Sequence, residues 1–143
     1  MLASNPQVAR SLRRWAARAR TLAAIYLLVL FAATHTPFES HGGISYADKA
    51  VHYAAYAILT VLVLLGWQLT IGVLQPKHYF AVWLVGTLYA AMDEVTQIPV
   101  GRTADVNDWV ADVLGIVTGL LLFRVAFAIF SRVRALRWFG TGN

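Results

Sequence analysis

The sequence contains no cysteine. A disulfide framework, a thiolate zinc site and a cysteine nucleophile are therefore excluded, and the redox compartment is left unmarked. Charge is scarce as well: 13% of the residues are Asp, Glu, Lys or Arg against 59% hydrophobic, and the mean hydropathy is +0.60. A soluble core built from 143 residues cannot hide that much apolar side chain. Neither a serine-nucleophile motif nor a phosphate-binding glycine loop is present, and no repeat or low-complexity tract divides the chain. These absences leave a single membrane domain over residues 1–143, with its chemistry restricted to Asp, Glu, His, Lys, Arg and Tyr.

The charges that remain are sorted along the chain. A net charge of +5 and a pI of about 10 would suit nucleic acid, but nine of the twelve basic residues lie in two segments, 10–20 and 124–137. Arginines beside apolar runs mark membrane topology instead, so the lipid bilayer is the expected partner and nucleic acid is not. In residues 7–20, Arg10, Arg13, Arg14 and Arg18 recur every three or four positions, opposite Val8, Leu12, Trp15 and Ala19. This spacing predicts a short basic amphipathic helix lying on an anionic surface.

Four apolar runs occupy about 16–34, from 47 past 65 to the break at Gln75-Pro76-Lys77, about 79–97 and about 109–130. Each is close to the roughly 20 residues that cross the hydrocarbon. The expected fold is thus all-α: an integral membrane bundle of four transmembrane helices, with N- and C-termini cytoplasmic. That orientation places Arg10, Arg13, Arg14, Arg18, Arg20, Lys77, Arg132, Arg134 and Arg137 inside, and only Lys49 and Arg102 near the outer face. A cleaved signal peptide is the competing reading of the first segment, where Ser11-Leu12-Arg13-Arg14-Trp15 resembles a twin-arginine signal. No small-x-small cleavage site follows Phe31, which favours a retained span.

All seven acidic residues fall between Glu39 and Asp112, at or near the outer ends of the expected spans. Asp48, His52 and Tyr56 stand one turn apart on one helical face, with Lys49 beside them. Asp93, Glu94 and Gln97 close the third span, Asp108 and Asp112 open the fourth, and Arg102 lies in the turn between. Ionisable groups inside a bilayer cost roughly 2.5–3.5 kcal/mol each on insertion scales, so they face a protein interior or a wet cavity and pair with one another. Convergent acids, a histidine and cations can hold a divalent cation, receive a phosphate or exchange protons.

Structural roles compete for several of these residues. Asp48, Asp105 and Asp108 have the position of helix caps that oppose a helix N-terminal dipole. Asp93 and Glu94, being adjacent, are not expected to share one helix face, and one of them is expected to pair with Lys49 or Arg102. His35 and His41 read as ordinary outer-loop residues, His78 as a cytoplasmic one, and Arg124 as a snorkelling side chain. Gly115 and Gly119 form a small-xxx-small pattern suited to close approach of another span of the same chain rather than to dimerisation.

The series Asp48-Lys49-Ala50-Val51-His52-Tyr53-Ala54-Ala55-Tyr56, then Asp93-Glu94-Val95-Thr96-Gln97, then Gly101-Arg102-Thr103, Asp108 and Asp112-Val113-Leu114-Gly115 resembles the VanZ-like family of small bacterial membrane proteins. Its pattern runs D-K-x-x-H-x-x-x-Y, D-E-x-x-Q, a glycine-arginine turn, and an aspartate-led helix ending in small residues. The likeness covers about residues 48–119; the turn before Asp108 departs from it, with Arg102-Thr103-Ala104-Asp105 where the family writes a serine-rich stretch.

The resemblance implies a multi-pass protein of the bacterial cytoplasmic (inner) membrane, associated with the cell envelope and, for the family's namesake, with resistance to glycopeptide antibiotics of the teicoplanin type. It supplies no reaction. As an active or binding site, His52 would be a general base or a ligand. Asp93 or Glu94, with Asp112, would orient it or hold a divalent cation. Lys49 and Arg102 would receive the phosphate of a lipid-linked or cell-wall substrate, with Tyr56 and Gln97 completing the binding set. The alternative is a non-enzymatic scaffold or modulator, in which the same charges form a salt-bridge network between helices. A channel is disfavoured because the inner halves of the last three spans are almost purely apolar.

Overall fold

The computed structural model describes residues 6–36 and 46–140, the stretch 134–140 in backbone alone. Glu39, His41 and the side chains of Arg134 and Arg137 lie outside the described residues. The described chain is helical: α1 Pro6–Thr34, α2 Tyr46–Ile71, α3 Pro76–Thr96, a 3₁₀ turn Ile98–Val100, and α4 Val106–Gly140.

Helix α1 corrects one expectation. The basic segment and the first apolar run are not two pieces but one helix of 29 residues. Nothing after Pro6 breaks it, because the stretch is rich in Ala, Leu and Arg and contains no Gly or further Pro. The arginines therefore ride on the first turns of the same rod that carries the apolar stretch.

Glycine sets two of the stops. Gly72 (φ 87°) follows α2, its N–H reaching the Gln68 carbonyl at 2.8 Å, and Gly101 (φ 84°) ends the 3₁₀ turn. Both adopt the left-handed conformation that a side chain disfavours. At the next start, Pro76 presets the first turn of α3 and the Gln75 N–H donates to His78 Nδ1 at 2.8 Å. Asp105 caps α4: its Oδ1 accepts from the Asn107 N–H at 2.8 Å, which extends the helix one turn earlier than the expected start near 109.

Three helices are long and apolar enough to cross a membrane, Pro6–Thr34, Tyr46–Ile71 and Val106–Val133. Helix α3 has 21 residues, about 31 Å of rise, but ends in Asp93 and Glu94. Helix α2 packs against α4 and α1, and α3 lies mainly against α4. The close approach of α2 and α4 depends on Gly115 and Gly119. A Cβ on Gly115 would strike the Tyr53 carbonyl oxygen, and one on Gly119 would lie 2.6 Å from that of Ala57.

One apolar cluster joins Leu30, Ala55, Tyr56, Leu59, Ala90 and Ile116; a second gathers Leu64, Leu74 and Phe123. Outside them the bundle is covered with large apolar side chains such as Leu28, Leu88, Leu114 and Leu121, each more than half exposed. Four helices wrapped in aliphatic side chains, with their backbone polar groups bonded within the helices, match a lipid environment.

Candidate functional site

The ends of α1 and α3 and the starts of α2 and α4 meet at one end of the bundle, where every described carboxylate lies. His52, Asp93, Glu94, Gln97, Asp108 and Asp112 are all buried there. Tyr56, one turn further along α2 than His52, is buried too, and its hydroxyl has no hydrogen-bond partner among the described residues.

The central contact is between α2 and α4: His52 Nδ1 lies 3.0 Å from Asp112 Oδ1, with the two side chains 5% and 1% exposed. The other oxygen, Asp112 Oδ2, is buried without a partner. Nearer the surface, Lys49 Nζ bridges Asp108 Oδ1 at 2.7 Å and Asp105 Oδ2 at 2.9 Å. The Lys49 ammonium, helped by the Asn107 N–H, holds the Asp105 carboxyl below its ordinary range. Arg102 comes within 4.0 Å of Asp48 Oδ2.

Helix α3 corrects a second expectation. Asp93 and Glu94 are both buried, and among the described contacts neither pairs with Lys49 or Arg102. Adjacent helical residues point about 100° apart, and here each direction meets a different part of the protein. Asp93 turns to the end of α1, where its Oδ1 is 3.2 Å from Thr34 Oγ1 and 3.8 Å from His35 Nδ1. Glu94 turns to the approach to α4, its Oε1 accepting the Asp105 N–H at 2.6 Å while Gln97 Nε2 donates to its Oε2 at 3.4 Å.

His35 is not an ordinary loop residue. Its Nδ1 donates to the Phe31 carbonyl at 2.9 Å, its Nε2 lies 3.0 Å from Thr96 Oγ1, and its ring stacks on Phe31 at 3.8 Å. Together with Thr34 it ties α1 to α3. The available signal was position: Thr34 ends the first apolar run and His35 directly follows it, which brings both to the depth of Asp93. At the far end of the bundle, His78 caps α3 and packs 4.9 Å from Trp67, while Arg124 stays exposed.

A cavity of about 90 Å³ opens between α1 and α2, lined by Leu30, Ala33, Thr34, Asp48, Val51, His52, Ala55 and Arg102. His52 is the link between this cavity and the buried acids, since it lines the one and bonds Asp112 of the other. A larger concavity of about 360 Å³, bordered by Arg10, Arg14, Trp15 and Arg18, is open space between long side chains of α1 alone. Among the described residues, two sets of three side chains bring potential ligand atoms within 4.8 Å of one another: Asp48, His52 and Asp108, and His52, Glu94 and Asp112.

The bundle thus brings together Asp48, Lys49, His52 and Tyr56 from α2, Asp93, Glu94 and Gln97 from α3, Arg102 from the turn, and Asp105, Asp108 and Asp112 at the head of α4. A family model described as VanZ/LLP1 matches residues 1–129. The chain belongs to the VanZ/LLP1 family. It is accordingly a VanZ-type envelope protein with membrane-spanning helices. Comparison with curated proteins and with solved structures finds no match. The family match runs on both sides of the 48–119 signature and includes all of α1, which contributes Thr34 to the site.

Proposed function

We propose that this VanZ-type protein is a single four-span domain of the bacterial inner membrane whose acidic end faces outward and binds the anionic head group of a lipid-linked cell-wall intermediate. Helix α3 supplies the remaining span. Its apolar stretch between Lys77 and Asp93 runs beside α4, and an even number of spans returns both termini to one side. The exposed arginines of α1 favour the cytoplasm for that side.

The observation that carries this reading is the cavity at His52: a partly polar opening at the membrane-facing seam of α1 and α2, with Arg102 at its edge and the His52–Asp112 pair behind it. Arg102 recognises a phosphate through its planar fork, and His52, held by Asp112, is the reactive group of the site. Tyr56 and Gln97 are buried deeper, beyond the lining of the cavity. In a host exposed to glycopeptides, occupancy of such an intermediate changes susceptibility to the teicoplanin type.

The test is teicoplanin susceptibility in a bacterial host expressing alanine variants of His52, Asp93, Glu94, Arg102 and Asp112, with membrane abundance quantified in the same samples. Loss of the phenotype at normal abundance is expected for His52, Arg102 and Asp112. An unchanged phenotype in all five would discard the site. A scaffold reading is favoured by one observation, the tie of Lys49 to two aspartates and of Glu94 to the Asp105 N–H, which braces the loop before α4. It is selected if the same variants vanish from the membrane.

A further inference from the structure

Behind His52 lies a charge imbalance that the pocket reading does not use. Asp93, Glu94 and Asp112 are buried together, and the basic groups that touch them are the imidazoles of His35 and His52. The nearby ammonium of Lys49 is already held by Asp105 and Asp108. Clustered carboxylates shielded from water need protons, donors or a cation.

Three atoms in the same layer also lack partners. Asp112 Oδ2, Asp93 Oδ2 and the Tyr56 hydroxyl have no hydrogen bond among the described residues, and their residues are 1% exposed. Orphaned polar atoms at this depth are costly, and several of them around a histidine and three acids mark a space built for an occupant.

We propose that His52, Glu94 and Asp112 hold a divalent cation of the zinc or manganese type. One ligand atom from each already lies within 4.8 Å of the others, so a small closure brings all three onto one ion. The 3.0 Å between His52 Nδ1 and Asp112 Oδ1 is a hydrogen-bond distance, and it is also the spacing of adjacent ligands on an octahedral ion at about 2.1 Å. One imidazole and two carboxylates suit zinc or manganese and leave coordination positions for a phosphate oxygen.

The other trio, Asp48, His52 and Asp108, is the weaker place for a cation. Asp108 is taken by Lys49 at 2.7 Å, and Arg102 stands 4.0 Å from Asp48, so an ion there would meet two positive charges. The inner trio has no lysine or arginine among its described contacts.

This inference rests on the reading of the acidic end as a site, but its test needs no substrate. The full-length protein in detergent is stripped with chelator and titrated with Zn²⁺ by calorimetry, then with Co²⁺ while its visible absorption is followed. One equivalent of Zn²⁺ is expected, together with cobalt bands that disappear when zinc is added. Glu94→Gln and Asp112→Asn, which keep side-chain shape, are expected to weaken binding at least tenfold. His78→Ala, at the other end, is expected to leave it unchanged. Thermal unfolding monitors each variant, and Zn²⁺ is expected to raise the midpoint of the native protein but not of Glu94→Gln.

The absence of saturable zinc binding, or binding that survives both Glu94→Gln and Asp112→Asn, overturns the site. Loss of binding in Asp48→Asn with Glu94→Gln intact overturns the choice of trio. A protein that binds no metal yet loses its phenotype in the His52 and Arg102 variants keeps the pocket and discards only the ion.

Discussion

The two ends of this bundle handle charge in opposite ways. At the basic end, Arg10, Arg13, Arg14, Arg18, Arg20, Lys77, Arg124 and Arg132 are all exposed. Their described contacts are few: Arg10 to the Pro6 carbonyl and Arg18 over the Trp15 ring at 5.1 Å within α1, and one reach across to α2, from Arg20 to Thr70 at 3.2 Å. At the acidic end His52, Asp93, Glu94, Gln97, Asp108 and Asp112 are buried, and polar contacts there involve all four helices. The difference follows from side-chain length. Arginine reaches water from inside a helix wall by uncoiling its own stem, whereas a short aspartate on a packed face stays where its helix puts it and must find a partner. The basic end therefore carries its charge on solvent-reaching side chains, and the acidic end packs its charge between helices.

The sharpest way to break this contrast is to spread the helices beside the acidic end. Gly115→Ala places a methyl group against the Tyr53 carbonyl oxygen, a backbone atom that cannot swing aside. Overpacking of this kind costs about 1–3 kcal/mol, and a backbone obstacle puts this case at the upper limit, about 3 kcal/mol. Unfolding in mixed micelles by SDS titration measures it. A loss below about 1 kcal/mol would mean that α2 and α4 approach less closely than the geometry requires.

Next in size is Lys49→Ala. It removes the single cation shared by Asp105 and Asp108 and leaves Asp108, with a side chain 9% exposed, without that partner. Hydrogen bonds to charged groups contribute about 1.5–3 kcal/mol, so a destabilisation near 2 kcal/mol is expected in the same assay. Lys49→Arg keeps the charge but changes its shape and should recover part of that loss. A variant as stable as the parent would show that the bridges are surface pairs of little weight.

Thr34→Val is milder, because it preserves volume and removes one hydroxyl 3.2 Å from Asp93 Oδ1. About 1 kcal/mol is expected, with hydrogen exchange at the end of α1 rising more than in the middle of α4. Uniform acceleration would mean that Thr34 is not a local tie between α1 and α3.

How far the sequence exposed these features depended on whether the signal was local. Hydrophobic run length located all four helices, with α2 starting at Tyr46 and α3 ending at Thr96, within a residue or so of the expected limits. The seam between α1's basic and apolar halves was misplaced, because a change of composition without Gly or Pro does not end a helix. Motif spacing put His52 and Tyr56 on one face, and both are buried there. The partners of Asp93 and Glu94 were not legible, since the choice between α1 and the α4 cap depends on how the helices are arranged. Position alone could have raised Thr34 and His35 to notice: Thr34 closes the first apolar run, and His35, just past it, read as an ordinary loop residue.

The smallest expected effect lies at the other end and completes the comparison. Gly66, in α2, faces α1 near Arg20. An added Cβ there would meet Arg20 Cγ at 3.2 Å and the Arg20 backbone nitrogen at 3.4 Å. The first neighbour is part of a flexible exposed side chain and can yield by a few tenths of an ångström; the second is near ordinary contact. Replacing a mid-helix glycine by alanine gains up to about 1 kcal/mol of helix propensity, which offsets the crowding. Gly66→Ala is therefore expected to change stability by no more than about 0.5 kcal/mol, in either direction. If it destabilises as much as Gly115→Ala, the basic end is packed as tightly as the acidic one, and the arginines there are held by fit rather than by reach. If it stabilises, α1 and α2 have slack at that end, and the demand for close packing is concentrated where the buried carboxylates lie.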